Sequence, residues 1–226
     1  MSETAAKWKL LETIGLGSSP PTLLYFADPM CSWCWGFAPV ITAIAGRYHH
    51  ALPVHCVVGG LRAGNTVPTD PAFREEILHH WRTVRAQTGQ SFSFEGALPD
   101  GFIYDTEPAC RAVVTMMALN ESGTLNYLHD LQRAFYVEQR DVTRADVLVT
   151  IAESGHVAVG AFRAAFDSDA VRERTEAHFR LTRQFGIRGF PTIIVLNTSG
   201  AELLTSGYAP LEVLARRLER LLAAAR

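Results

Sequence analysis

The sequence predicts an α/β protein in which a small open sheet flanked by helices is interrupted by a long helical block. Three observations carry that expectation. Strand-like runs occur near residues 22–27 and 53–58 and again near 192–206. Between about residues 61 and 181 strand signals vanish and helical periodicity takes over. Apolar residues are 48% of the 226-residue chain and charged residues 19%, which supplies a sizeable core and argues against disorder.

In chain order, residues 1–20 read as an arm or short element ending in a loop rich in Gly, Ser and Pro. Its Gly15-x-Gly17 lacks the third glycine and the strand-then-helix setting of a dinucleotide site. Residues 22–27 form a nearly continuous apolar run stopped by Asp28-Pro29, which suits a strand buried on both faces. Phe37, Val40, Ile41, Ile44, Ala45 and Tyr48 then recur at helical spacing, with Pro39 predicting a kink near the first turns. Residues 53–58 read as a second strand closed by Gly59-Gly60, so the first three elements make a β-α-β unit with a parallel pair. Helices are expected near 71–88, 107–121, 124–138, 143–154, 158–166 and 168–185, with 90–105 a loop. Residues 192–196 and 201–206 read as a hairpin, and Leu211, Leu214, Leu218, Leu221 and Leu222 line one face of a last helix.

The formal net charge of −2, with scattered Lys and Arg, gives no general attraction to nucleic acid or to an anionic membrane. The N-terminus has no apolar stretch long enough for a signal-peptide core, and no segment reaches the roughly 18 apolar residues of a membrane span. The expectation is a cytoplasmic protein. Four cysteines in a chain this long do not make a disulfide-dense scaffold. In a reducing compartment the pair Cys31-Ser32-Trp33-Cys34 is then either catalytic or metal-binding.

Cys31 falls where the first strand hands over to the helix. A helix N-terminus leaves N–H groups unpaired and carries partial positive charge, and both favour thiolate over thiol. The thiolate is the attacking species in disulfide exchange. Two intervening residues bring Cys34 within reach of a mixed disulfide formed on Cys31, so Cys31 is the candidate nucleophile and Cys34 the candidate resolving thiol. The alternative is half of a zinc site, which needs two further ligands. Cys56 and Cys110 are isolated, and His55 beside Cys56 points to the opposite face of a strand. A second signal, 186–192, puts Pro191 directly ahead of the third strand, where it removes a ladder N–H; alone it is an ordinary loop proline.

At these two places the sequence resembles the thioredoxin superfamily. Cys31-Ser32-Trp33-Cys34 after a buried strand and Gly189-Phe190-Pro191-Thr192 before a later one match its dithiol and its cis-proline loop. The helical block resembles the insertion of the DsbA-like branch. The strings from Tyr25 to Gly36, Gly59-Gly60-Leu61-Arg62 and Glu107-Pro108-Ala109-Cys110-Arg111 are similar to FrnE-type proteins within it, often described as protein-disulfide isomerases. The resemblance implies a thioredoxin-like domain over 20–62 and 182–226 and an inserted helical domain over 63–181. It implies a thiol–disulfide oxidoreductase or isomerase with catalytic Cys31 and Cys34, and a substrate held by Trp33, Phe190 and a cis Pro191. The expected partners are a disulfide-containing protein or small thiol and a second thiol system for recycling; no metal or organic cofactor is implied. Relatives carry a buried acid six residues before the first cysteine. Tyr25 stands there; Asp28 is nearer the dithiol and either serves in that acid's place or simply caps the loop, the cap being the preferred reading.

Other features read as structural. Glu75, Glu76, His79 and His80 lie in i, i+4 pairs and suggest a solvated face rather than a metal site. His49 and His50 end the first helix, where cations suit its dipole. Cys56 and Cys110 read as buried inert thiols. Trp33 is expected exposed and Trp35 buried. Two further functions share this architecture by resemblance: glutathione-dependent transferases and isomerases of the kappa and hydroxychromene carboxylate isomerase type, against which the intact cysteine pair argues, and a non-catalytic adaptor that binds partner proteins and needs neither cysteine.

Overall fold

A computed structural model describes residues 9, 11–16, 21–155, 157–197 and 200–224. Gly17, most of residues 1–20 and the tip of the hairpin turn at 198–199 lie outside them. The elements run β1 (Thr22–Ala27), α1 (Ser32–Tyr48), β2 (Val54–Val58), α2 (Pro71–Thr88), α3 (Glu107–Leu119), a 3₁₀ turn (Glu121–Gly123), α4 (Thr124–Tyr136), α5 (Ala145–Ser154), α6 (Val159–Phe166), α7 (Asp169–Gln184), β3 (Thr192–Asn197), β4 (Gly200–Ser206) and α8 (Leu211–Ala224). The chain has the expected architecture, a thioredoxin fold with a helical block set between β2 and β3.

The sheet has strand order β2-β1-β3-β4, with β1 parallel to β2 and antiparallel to β3. β1 is central, so all six of its residues are buried. Its alternate side chains serve two cores. Leu23, Tyr25 and Ala27 join Phe37, Ile41 and Ile44 of α1 and Leu214 and Leu218 of α8. Leu24 and Phe26 face the other way, onto Leu11, Ile14 and Ala177 and Leu181 of α7. The first core continues into the helical block through Trp81, Val113, Leu131 and Leu148. β2 and β4 are the edge strands; the pairing of β4 with β3 shifts register between Ile193 and Ile194, and Glu202 and Leu203 are exposed.

α2 shows how local chemistry sets the block's bounds. Asp70 accepts the Phe73 N–H at 2.8 Å, Pro71 occupies the first turn, and Gly89 closes the helix at φ +75°. The 90–105 stretch has no helix or strand of its own. Phe92, Phe102 and Tyr104 are nevertheless buried, and with Phe135 and Tyr136 they surround Trp81 and one another. α7 runs unbroken through residues 181 and 182, with Val171 in the first core and Leu181 against the sheet. No helix among the described residues is long and apolar enough to cross a membrane.

Candidate functional site

The loop between β1 and α1 is fixed by Asp28. Its side chain is wholly buried; Oδ1 accepts the Met30 N–H at 2.9 Å, and Oδ2 accepts the Leu61 N–H at 2.7 Å and the Cys110 thiol at 3.4 Å. Burial, the largest influence, pushes this carboxyl up; the Leu61 and Met30 amides pull it down. The Asp28 carbonyl accepts the Cys31 N–H at 3.1 Å, and Tyr104 donates its hydroxyl to the Met30 carbonyl. Asp28 is thus a cap, as expected, and also the joint between this loop, the β2 exit and α3.

Cys31 is the N-cap of α1, with extended φ −89° and ψ 116°. No side chain caps the helix there, so the first-turn amides sit beside a sulfur rather than a Ser or Asp oxygen. Its carbonyl accepts the Cys34 and Trp35 N–H groups at 3.0 and 3.1 Å. Cys31 is 7% exposed and Cys34 wholly buried, one turn further in. Burial and then the neighbouring Cys31 thiol push Cys34 well above its ordinary value. Tyr25, beneath on β1, is also pushed up, first by burial; its hydroxyl interaction with Cys34 adds to the rise.

The Phe190–Pro191 bond is cis, and the Phe190 carbonyl accepts the Cys31 thiol at 3.5 Å. The loop is closed by the Thr192 hydroxyl donating to the Gly189 carbonyl at 2.8 Å, and β4 follows on through Gly207 N–H to the Pro191 carbonyl at 2.7 Å. The Phe190 ring lies where a side chain on Gly59 would be: a Cβ there would stand 1.9 Å from Phe190 Cζ. Gly60 next to it has φ +68°. The Gly59-Gly60 pair therefore admits the ring and turns the chain toward Asp28.

Cys31, Cys34, Phe190 and Pro191 are brought together at the C-terminal ends of β1 and β2. Phe190 offers the site its backbone, while its ring packs inside. Trp33 stands at the rim but is half-buried rather than exposed, its ring 6.4 Å from Tyr208, which meets Phe37 edge-on. Trp35 is buried as expected: Nε1 donates to the Ser91 carbonyl at 2.9 Å and the ring stacks on Tyr136. Thr106, Cys110, Tyr104 and Tyr136 also belong to this site's surroundings, and no dithiol or proline signal in the sequence marks them. Thr106 accepts the Arg62 N–H at 3.1 Å and Tyr136 stacks beneath the α1 start, so they tie the block to the dithiol. The one sequence signal for them is the string 107–111, with Pro108 in the first turn of α3 and Arg111 clamped to Glu107 at 2.8 Å.

Cys56 is pushed up to about 12 by burial. Cys110 is raised by burial and then by Asp28, so it is hydrogen-bonded rather than merely packed. All four cysteines are free thiols. Glu75, Glu76, His79 and His80 are exposed, with Glu75 paired to Arg82 at 2.6 Å. Among the described residues no three His, Cys, Asp or Glu side chains gather as a metal set.

A family profile for DSBA-like thioredoxin domains matches residues 22–219. The crystal structure of a candidate protein disulfide isomerase from Nitrosomonas europaea is 43% identical, with a TM-score of 0.87, over 92% of this chain and 100% of that one. The cytosolic disulfide reductase DsbM from Pseudomonas aeruginosa is 29% identical, with a TM-score of 0.73, over 90% and 100% of the two chains. DsbM also has a structure with GSH. The ClpXP adapter protein SpxH from Halalkalibacterium halodurans is 22% identical over 209 residues, 90% of this chain and 68% of that protein.

Proposed function

The chain belongs to the family of DSBA-like thioredoxin domains, and from that membership we propose that it is a thiol–disulfide oxidoreductase whose reacting groups are Cys31 and Cys34. The observation that carries this reading is the setting of Cys31: a thiol at a helix N-cap, facing the Phe190 carbonyl, with a wholly buried thiol one turn behind. Cys31 is the thiol nearer the surface, and burial keeps Cys34 a thiol until it is needed.

In the reduced protein the Cys31 thiolate attacks one sulfur of a substrate disulfide. A mixed disulfide forms and the other substrate sulfur leaves as thiolate. Cys34 then gives up its proton and attacks the Cys31 sulfur, releasing the second substrate sulfur. The dithiol loses two electrons and two protons; the substrate disulfide gains both and leaves as two thiols. Backbone groups of Phe190 beside Pro191 pair with an extended substrate segment, and Trp33 with Leu61, which is 44% exposed, offers apolar surface at the rim. Residues 20–62 and 182–226 form the reacting domain and 63–181 the insertion that covers the groove, with α7 bridging both. A second thiol returns the electrons, and no step invokes a metal or organic cofactor.

The likeness to DsbM supports reduction or isomerisation in the cytoplasm, on glutathione-type or protein disulfides. The test is trapping. Cys34→Ala should accumulate a mixed disulfide on Cys31 with glutathione disulfide or with a disulfide-scrambled protein, seen as a mass adduct released by reductant. No adduct, together with a wild-type pair that shows no reversible two-electron chemistry, would refute the proposal. The likeness to SpxH supports a second reading, an adaptor that binds a protein partner. Under it, a chain with both Cys31 and Cys34 replaced keeps its partner; under the first, activity is lost.

A further inference from the structure

Tyr104 comes from the irregular 90–105 stretch of the helical block, yet its hydroxyl ends at the dithiol loop. It donates to the carbonyl of Met30, the residue before Cys31. Both partners are buried. The ring does not need that oxygen for packing. It meets Phe102 and Phe135 edge-on, at 5.8 Å in each case, and a phenylalanine would fill the same space. Burial, the largest influence, pushes the hydroxyl well above its ordinary value, so it remains a donor at neutral pH.

The base of Tyr104 is anchored as well as its tip. Its carbonyl accepts the Asn65 side-chain N–H at 3.4 Å, Pro68 and Ile103 form an antiparallel bridge, and the Thr69 N–H donates to the Phe102 carbonyl at 2.8 Å. The Arg62 guanidinium lies over the ring, 5.9 Å from its centroid. Tyr104 is therefore a strut between the loop after β2 and the loop before α1. At the far end it completes the fixing of one turn. Asp28 Oδ1 accepts the Met30 N–H at 2.9 Å, and the Asp28 carbonyl accepts the Cys31 N–H at 3.1 Å. With Tyr104 on the Met30 carbonyl, the peptide unit that joins Met30 to Cys31 is bonded at both ends.

We propose, resting on the oxidoreductase reading, that Tyr104 is a positioning residue for the second step of exchange: through the Met30 carbonyl it holds Cys31 at the head of α1, in line for attack by Cys34. In that step Cys34 gives up its proton and attacks the Cys31 sulfur. The Cys31–Cys34 bond forms as the bond from Cys31 to the substrate sulfur breaks, and the substrate sulfur leaves with the electron pair and takes up a proton. The attacking, central and leaving sulfurs must lie close to one line. Cys34 is fixed in the first turn of α1, its N–H on the Cys31 carbonyl at 3.0 Å, so the alignment depends on the backbone of Cys31. The first step brings a free disulfide to Cys31 from solution, and that molecule aligns without the strut.

The test follows the two steps separately, by rapid acid quench and mass spectrometry of the reduced full chain mixed with glutathione disulfide. Tyr104→Phe, which deletes one oxygen, should release glutathione from the Cys31 mixed disulfide about tenfold more slowly than wild type. The mixed disulfide should form within about twofold of the wild-type rate, so that it accumulates. Ser168→Ala, which removes the cap of α7 away from this loop, costs stability but should resolve at the wild-type rate. Asn65→Ala frees the base of the strut; it should slow release in the same sense by a smaller factor, and it serves if Tyr104→Phe does not fold. Release at the wild-type rate in a folded Tyr104→Phe chain, or in Asn65→Ala where that variant stands in, would overturn the proposal. So would formation slowed as much as release, or an equal slowing in Ser168→Ala. A wild-type chain that forms no mixed disulfide at all would instead overturn the oxidoreductase reading, and this inference with it.

Discussion

Asp28 has two carboxylate oxygens, and each accepts a backbone amide while one also takes the Cys110 thiol. Asn offers one acceptor in their place and turns an N–H₂ toward an N–H. Asp28→Asn should therefore lower the unfolding free energy by about 1–3 kcal/mol in denaturant titration, because a buried donor loses its partner. A loss much smaller than that would mean the loop reshapes around the amide. Gly59 gives a second test, since a Cβ there would lie 1.9 Å from the Phe190 ring. Gly59→Ala should cost about 1–3 kcal/mol by overpacking, and adding Phe190→Ala should remove much of that penalty in a double-mutant cycle. Additive effects would place the strain elsewhere. Both residues stand in strings legible in the sequence, because a Cys-x-x-Cys spacing, a Gly-Gly turn and a proline before a strand are local signals. Tyr104 was not legible as a site residue. Its hydroxyl reaches Met30 from 74 positions away, and nothing in its neighbourhood marks that contact. Trp33 was legible as a rim residue but not as half-buried, because Tyr208, which covers it, comes from the far end of the chain.

Helix bounds are most legible in the sequence where capping chemistry punctuates them. α2 begins after Asp70 and ends at Gly89 because a carboxylate accepts the Phe73 amide and a glycine adopts φ +75°. Asp70→Ala should cost about 1 kcal/mol of stability, measured by thermal or denaturant unfolding, while leaving the thiol chemistry of Cys31 unchanged. A change in Cys31 alkylation rate would show that α2 positions the dithiol more tightly than its cap implies. Where caps are missing, less is legible. The 90–105 stretch looks like a loop, and it forms no regular element, yet Phe92 and Phe102 belong to the core and the Ser91 carbonyl holds Trp35. Periodicity cannot find such residues, because an irregular backbone has no fixed face. α7 is a similar case. Its apolar positions read as one helix, but they divide between two cores, and only the packing shows that the helix spans the block and the sheet.

For the whole molecule, the parallel pair and the returning hairpin make one sheet with a core on each face, and His178 sits where α7 closes the second face against β2. That position makes its protonation a property of the fold. Its folded-state value is about 3, against an ordinary 6.5, with burial the first cause and Arg174 the second. Between those values the unfolded chain binds a proton that the folded chain refuses. The stability tied to His178 is therefore complete above about pH 6.5 and is lost as the pH falls toward 3. Its slope approaches about 1.4 kcal/mol per pH unit inside that window. Asp28 works in the opposite sense, because burial raises its carboxyl: its contribution is greatest below the ordinary carboxyl value and is lost as the pH rises through the raised one. The wild-type curve alone mixes the two, so the measurement is a difference. Unfolding free energies of wild type and His178→Gln, which keeps an acceptor for the Val58 amide, should be taken from pH 7 down to pH 4. The wild type should lose stability more steeply than the variant on the way down, approaching that slope in the difference, with Asp28 cancelling because both chains carry it. Parallel curves would mean that His178 takes up its proton inside the fold, and that the α7–β2 seam opens to water well before the chain unfolds.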